Sequence, residues 1–202
     1  MAKGSGGTRI SGARDLTNST SWEIREGLSR LEDDMARGGD FSNMAALTMS
    51  EKRVVNAYLT HAYGVVNRTL EGRANKYDDV ASAKALANQI DRALRKIPTY
   101  QGETTRVMGF SGRKASQQMA EYLSQFKVGE TVTFKGFLST GTNTSKLKSK
   151  FKQDATAHFS ITAKRGHDLR RYNPEEREVL FNRGTTFRVV SKRGNNIRLE
   201  EI

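Results

Sequence analysis

The chain has 202 residues, 36% hydrophobic and 28% charged, which suits one domain with its own core. It lacks cysteine, its three histidines are scattered, and no apolar run reaches the ~18 residues of a membrane span, so disulfide, thiolate-metal and membrane-spanning classes are excluded. With 34 Lys and Arg against 22 Asp and Glu the net charge is +12, favouring nucleic acid, a phosphorylated ligand or an acidic protein as partner.

Residues 1–20 carry Gly4, Gly6, Gly7 and Gly12 among Ser, Thr and Arg and read as a flexible leader. From Ser21, the residues Trp22, Leu28, Leu31 and Met35 recur with helical rhythm until Gly38-Gly39. A second helix is expected to start at Ser50-Glu51. Its core stripe is Val54, Val55, Tyr58, Ala62, Val65, Val66 and Leu70. A third is expected from Asp79 to Lys96, with Val80, Ala83, Ala87, Ile90 and Leu94 inward and Pro98 as its stop.

After Pro98 the pattern turns to strands. One is expected from Thr104 to Phe110, then a helix from Lys114 to Phe126. Further strands are expected from Thr131 to Phe134, around Gly136 to Thr140, and from Ala157 to Ala163. The last three run from Arg177 to Phe181, Phe187 to Ser191 and Asn196 to Glu201, with Lys192-Arg193-Gly194-Asn195 as a hairpin turn. Lys146, Lys148, Lys150 and Lys152 alternate with Leu147, Ser149 and Phe151, which as a strand puts every lysine on one face. The class is α+β, a helical lobe over about 21–97 and a sheet core over about 98–202, together one domain.

The most informative stretch is Pro174-Glu175-Glu176-Arg177-Glu178-Val179-Leu180-Phe181. On a strand, Glu176 and Glu178 face the same way at the mouth of a buried run. Two acids there suit chemistry on a cationic or electron-poor centre; a bare Glu-x-Glu alone is usually a solvated turn.

The ordered set is what carries meaning: Tyr58, Tyr63 and Asn67 on one helix, Thr105-Arg106 on the first strand, Lys135-Gly136-Phe137-Leu138-Ser139-Thr140, then Glu176-x-Glu178. Over roughly residues 45–202 it resembles the arginine, serine-threonine-serine, glutamate-x-glutamate class of mono-ADP-ribosyltransferases, the family of clostridial binary toxins and related bacterial and phage enzymes. The resemblance implies two packed, mainly antiparallel sheets forming a cleft for NAD+, with no metal.

It further implies roles. Glu178 stabilises the cation that develops on the ribose, Ser139 positions Glu178, and Glu176 orients and deprotonates an arginine acceptor. Arg106 binds phosphate or ribose through its guanidinium fork. Tyr58 or Tyr63 lies near the adenosine, Asn67 on the phosphates and Thr140 in the cofactor-binding motif. Phe151 lies against the nicotinamide, with the nearby lysines supplying charge for the phosphates. Tyr172, exposed in the turn before the acids, stacks on the acceptor.

The chain departs from the family pattern at Gly141, where the third motif position loses its hydroxyl, and at Val107, where glycine is usual. The phenylalanine-x-x-arginine clamp is missing too, because Phe151 is followed by Asp154. The expected partners are NAD+ and a target protein, with an immunity protein if the enzyme is a toxin. The expected place of action is the cytoplasm of a bacterial cell. Two alternatives stand beside this: RNA as acceptor, motivated by the +12 charge, and a non-catalytic nucleic-acid- or capsid-associated binding module.

Overall fold

Ile24, Gly27 and Leu31 form the buried edge of the first helical stretch, whereas Trp22 is 60% and Met35 40% exposed. The computed structural model describes residues 16–202 apart from 39, 146, 148–152, 173 and 175. Most of the expected leader, and Phe151 with Lys146, Lys148, Lys150 and Lys152, therefore lie outside the described residues.

The expected first helix is two helices, α1 (Trp22–Ser29) and α2 (Leu31–Ala36), broken at Arg30. A close approach selects the inward face. A Cβ on Gly27 would stand 2.8 Å from the Ala57 Cα, so α1 is seated against the backbone of α3 (Met49–Ala57).

Helix α3 begins earlier than expected, with Thr48 rather than Ser50 as its N-cap. Thr48 Oγ1 accepts from the Glu51 N–H at 3.2 Å, and Glu51 Oε2 accepts from the Thr48 N–H at 2.9 Å. This reciprocal capping box satisfies two amide groups that the helix itself leaves unpaired. A π-helical turn (Tyr58–Ala62) separates α3 from α4 (Tyr63–Leu70). Through this turn Tyr58, Ala62, Val65 and Val66 stay buried, while Tyr63 is 57% exposed. Helix α5 (Val80–Leu94) is capped by Asp79, whose Oδ1 accepts from the Ser82 N–H at 3.0 Å. It buries Ala83, Leu86, Ala87, Ile90 and Leu94.

The strands are β1 (Thr99–Phe110), β2 (Thr131–Thr133), β3 (Leu138–Gly141), β4 (Ala155–Leu169), β5 (Glu178–Phe181), β6 (Thr186–Arg193) and β7 (Asn196–Glu201). Helix α6 (Ala115–Ser124) lies between β1 and β2 in the chain. The strand order is β1-β3-β5-β4-β7-β6-β2, and β1 also pairs with β4. All pairs are antiparallel except β4 with β7. Strand β4 joins the two expected sheets into one continuous sheet, pairing with β7 over 158–162 and with β5 over 167–169.

The two faces of this α+β fold bury different cores. Phe137, Leu169 and Leu180 pack with the helical lobe. Leu138, Val179, Phe181, Phe159 and Phe187 pack with Leu123 and Phe126 on the other side. Because strand side chains alternate, Ser139 and Glu178 fall on the face toward the helical lobe.

Candidate active site

Strands β3 and β5 set Gly141 opposite Glu178 and Ser139 opposite Leu180, which makes Ser139 and Glu178 diagonal neighbours on one face. Ser139 Oγ donates to Glu178 Oε1 at 2.6 Å, and Glu178 is only 6% exposed. A buried carboxylate needs donors to offset its lost hydration, and a hydroxyl at this distance is a strong one.

Arg106 arrives from β1, whose Thr105 pairs with Gly141. Its Nη1 donates to the Ser139 carbonyl at 2.7 Å, and its Nε is buried with no hydrogen-bond partner among the described residues. Ser139 therefore holds a guanidinium with its carbonyl and a carboxylate with its hydroxyl. A cation and an anion are held by one residue in partly desolvated surroundings, where each acts more strongly than in water.

The expectation that Glu176 and Glu178 share one strand face is corrected. Strand β5 begins at Glu178, and Arg177 before it has φ 53°. A left-handed non-glycine residue costs about 1–2 kcal/mol and ends strand alternation, so Glu176 belongs to a turn. The turn is held from the segment after β3: the Thr142 N–H donates to the Arg177 carbonyl at 3.0 Å and the Asn143 N–H to the Glu176 carbonyl at 3.2 Å.

The helical lobe closes one side of the site. Tyr58 is 2% exposed and meets Phe137 edge-on, with ring centroids 5.2 Å apart. Burial pushes its hydroxyl well above the usual tyrosine range, against the Asn67 hydrogen bond and with help from the Glu178 charge. Asn67 is engaged with backbone: its Oδ1 accepts from the Phe137 N–H at 3.0 Å and its Nδ2 donates to the Phe137 carbonyl at 3.2 Å. Gly136 makes room, since a Cβ there would lie 2.7 Å from Asn67 Oδ1. Asn67 thus ties α4 to the segment leading into Ser139.

Two expected residues sit elsewhere. Thr140 faces away from Ser139, is 3% exposed, and donates to the Val179 carbonyl at 2.8 Å. Tyr172, expected to be exposed, is half-buried: its hydroxyl donates to Asn56 Oδ1 at 2.5 Å and its ring meets Phe41 edge-on at 5.2 Å. It covers the core of the helical lobe. Burial raises its hydroxyl too, with the Asp34 and Glu178 charges adding. Tyr63 is exposed on the first turn of α4. The structure brings together Glu178, Ser139, Arg106 and Tyr58, with Asn67 behind them.

Sequence reading missed what Gly141, Arg177 and Asn56 contribute. Only Gly141 left a signal, as a glycine in place of a motif hydroxyl. Among the described residues no group of three or more His, Cys, Asp or Glu is placed to hold a metal ion, and no helix is long and apolar enough to cross a membrane.

The fold is that of the ADP-ribosyltransferase toxins. ADP-ribosyltransferase Vis from Vibrio splendidus, crystallised with agmatine, matches with a TM-score of 0.63 at 23% identity, over 90% of this chain and 86% of that one. Exoenzyme S from Pseudomonas aeruginosa, in complex with human 14-3-3 protein beta and carba-NAD, matches with a TM-score of 0.61 at 20% identity, over 87% and 86%. The family model for ADP-ribosyltransferase exoenzymes matches residues 36–201, and the chain belongs to this family, whose substrate is NAD+. It is also 32% identical over 113 residues to Mav of Mycobacterium avium (strain 104), named as a candidate NAD(+)–arginine ADP-ribosyltransferase. That match covers 55% of this chain and 13% of Mav, so the chain spans a small part of that relative.

Proposed function

We propose that the domain cleaves the nicotinamide–ribose bond of NAD+ and transfers ADP-ribose to an arginine of a target protein. The observation that carries this reading is Ser139 holding Arg106 and Glu178 at once. Arg106, with a free buried Nε donor among the described residues, suits a phosphate or ribose oxygen. Glu178, held by Ser139, suits the positive charge that grows on the ribose as neutral nicotinamide departs.

The arginine acceptor is supported by the name of Mav and by the presence of a second acid, Glu176, in the adjoining turn. A guanidinium nitrogen forms the new bond to the ribose carbon, and its proton passes to the Glu176 carboxylate. A carboxylate matches a guanidinium in both charge and hydrogen-bond geometry. A toxin or effector role in the cytoplasm of a target cell is in keeping with the toxin character of Vis.

Incubation with labelled NAD+ and a bacterial lysate tests the reading. Label lost to protease supports a protein acceptor, and label lost only to nuclease moves the acceptor to RNA. Glu178→Ala should abolish transfer and NAD+ cleavage together. Glu176→Gln should stop transfer while sparing part of the cleavage. Full activity in Glu178→Ala would overturn the mechanism.

A further inference from the structure

The residue directly across the ladder from Glu178 is Gly141. Opposed strand positions normally meet through their side chains, about 5 Å apart at Cβ. Here the space is taken by backbone. A Cβ on Gly141 would stand 2.4 Å from the Glu176 carbonyl oxygen and 3.3 Å from its carbonyl carbon, with the buried Leu147 side chain at 3.1 Å. The Glu176 peptide therefore lies folded over Gly141, and any side chain there collides with main chain rather than with a flexible tip.

The neighbouring bonds keep it there. Thr142 N–H reaches the Arg177 carbonyl at 3.0 Å, Thr142 Oγ1 the same carbonyl at 3.4 Å, and Asn143 N–H the Glu176 carbonyl at 3.2 Å. Arg177, at φ 53°, turns the chain from this seat into β5. The Cβ of the serine that the family pattern places at this position would collide with the Glu176 carbonyl.

We propose that Gly141 is a positioning residue for the acceptor half of the reaction: its missing side chain lets the turn lie low enough to set Glu176 beside Glu178. This rests on the ADP-ribosyl-transfer reading above. The seat acts on Glu176 and the turn, while Glu178 is held separately by Ser139. Transfer to an acceptor and simple cleavage of NAD+ should therefore respond differently to its loss.

The experiment measures both activities in the same preparations, with agmatine as a small guanidine acceptor and with none. Gly141→Ser displaces the turn, and a displacement of about an ångström lowers transfer by about a hundredfold, while hydrolysis without acceptor changes by no more than about threefold. Thermal melting shows that the variant is folded. Should Gly141→Ser fail to fold, Gly141→Ala and Arg177→Gly are read instead; the latter frees the turn with no added volume, since glycine adopts positive φ readily. Both should lower the ratio of transfer to hydrolysis. An unchanged ratio in the folded variants, whether both activities persist or fall together, overturns the proposal. Glu178→Ala runs alongside: if the parent protein and this variant cleave NAD+ equally, the functional reading itself is lost, and the inference with it.

Discussion

Ser139, on β3, donates its hydroxyl to the Glu178 carboxylate on β5 at 2.6 Å, and this one bond spans 39 positions of sequence. Removing it takes a strong donor from a buried carboxylate. Ser139→Ala should lower kcat for NAD+ cleavage by about ten- to a hundredfold, the equivalent of the ~1.5–3 kcal/mol that a hydrogen bond to a charged group contributes. Steady-state assay of nicotinamide release checks this. Activity within twofold of the parent, a ratio worth only ~0.4 kcal/mol, would separate the bond from the chemistry.

Asn67 satisfies both the N–H and the carbonyl of Phe137. Asn67→Ala leaves both partly buried groups unmet, at about 1–3 kcal/mol for such losses. With about 2–4 °C per kcal/mol at this chain length, melting should drop by roughly 2–12 °C. Differential scanning calorimetry gives the answer; an unchanged melting temperature would mean that Asn67 serves ligand alone.

Gly27 touches the backbone of Ala57. Gly27→Ala should push α1 off α3 and destabilise by about 1–3 kcal/mol, as overpacking does. The folded fraction should cleave NAD+ at the parent rate, because the bonds from Ser139 that hold Glu178 and Arg106 come from β3. Denaturant melts and activity per folded molecule test the two halves separately.

Asp79 shows how acid should act on the helical lobe. Burial works to raise its carboxyl, but bonds from the Ser82 N–H, the Thr20 N–H and the Ser19 hydroxyl outweigh it and hold the group well below the usual range. The unfolded chain therefore takes up the proton first, near the ordinary aspartate value of about 3.9. Stability from Asp79 is in place above that pH and is lost as pH falls through the lower folded value. Asp79→Ala should cost about 1 kcal/mol at neutral pH, as a lost N-cap does. Melts at neutral pH and near pH 3 should show the gap to the parent narrowing in acid; a gap that widened would reverse the sign.

Much of this chain was legible residue by residue. The α5 face of Ala83, Ala87, Ile90 and Leu94 is buried as its spacing required, whereas Val80, expected inward on the same face, is exposed on the first turn of the helix. The hairpin at Gly194, with φ 58°, joins β6 and β7 where the turn residues placed it. The order of Arg106, Ser139 and Glu178 along the chain resembled one enzyme family, and the match of that family's model over residues 36–201 bears the family out. Other expectations failed for one shared reason. Trp22 has the hydropathy of a core residue, but Gly27 seats α1 against Ala57 with Ile24 buried, and Trp22 is left exposed. Glu176 has the spacing of a strand partner to Glu178, but Arg177 turns out of the strand. Tyr172 has the look of an exposed stacking platform, but Asn56 and Phe41 claim it.

By itself, then, the amino-acid order determined the α+β class and, through its family resemblance, the NAD+ substrate. Tertiary structure alone decided which groups meet: Ser139 with Glu178 and Arg106, Asn67 with Phe137, the Glu176 peptide with Gly141. The physical reason is that propensity and periodicity are properties of a local window. Register and van der Waals contact are properties of pairs of distant segments, and a difference of one side chain's volume between such segments is invisible until they are packed.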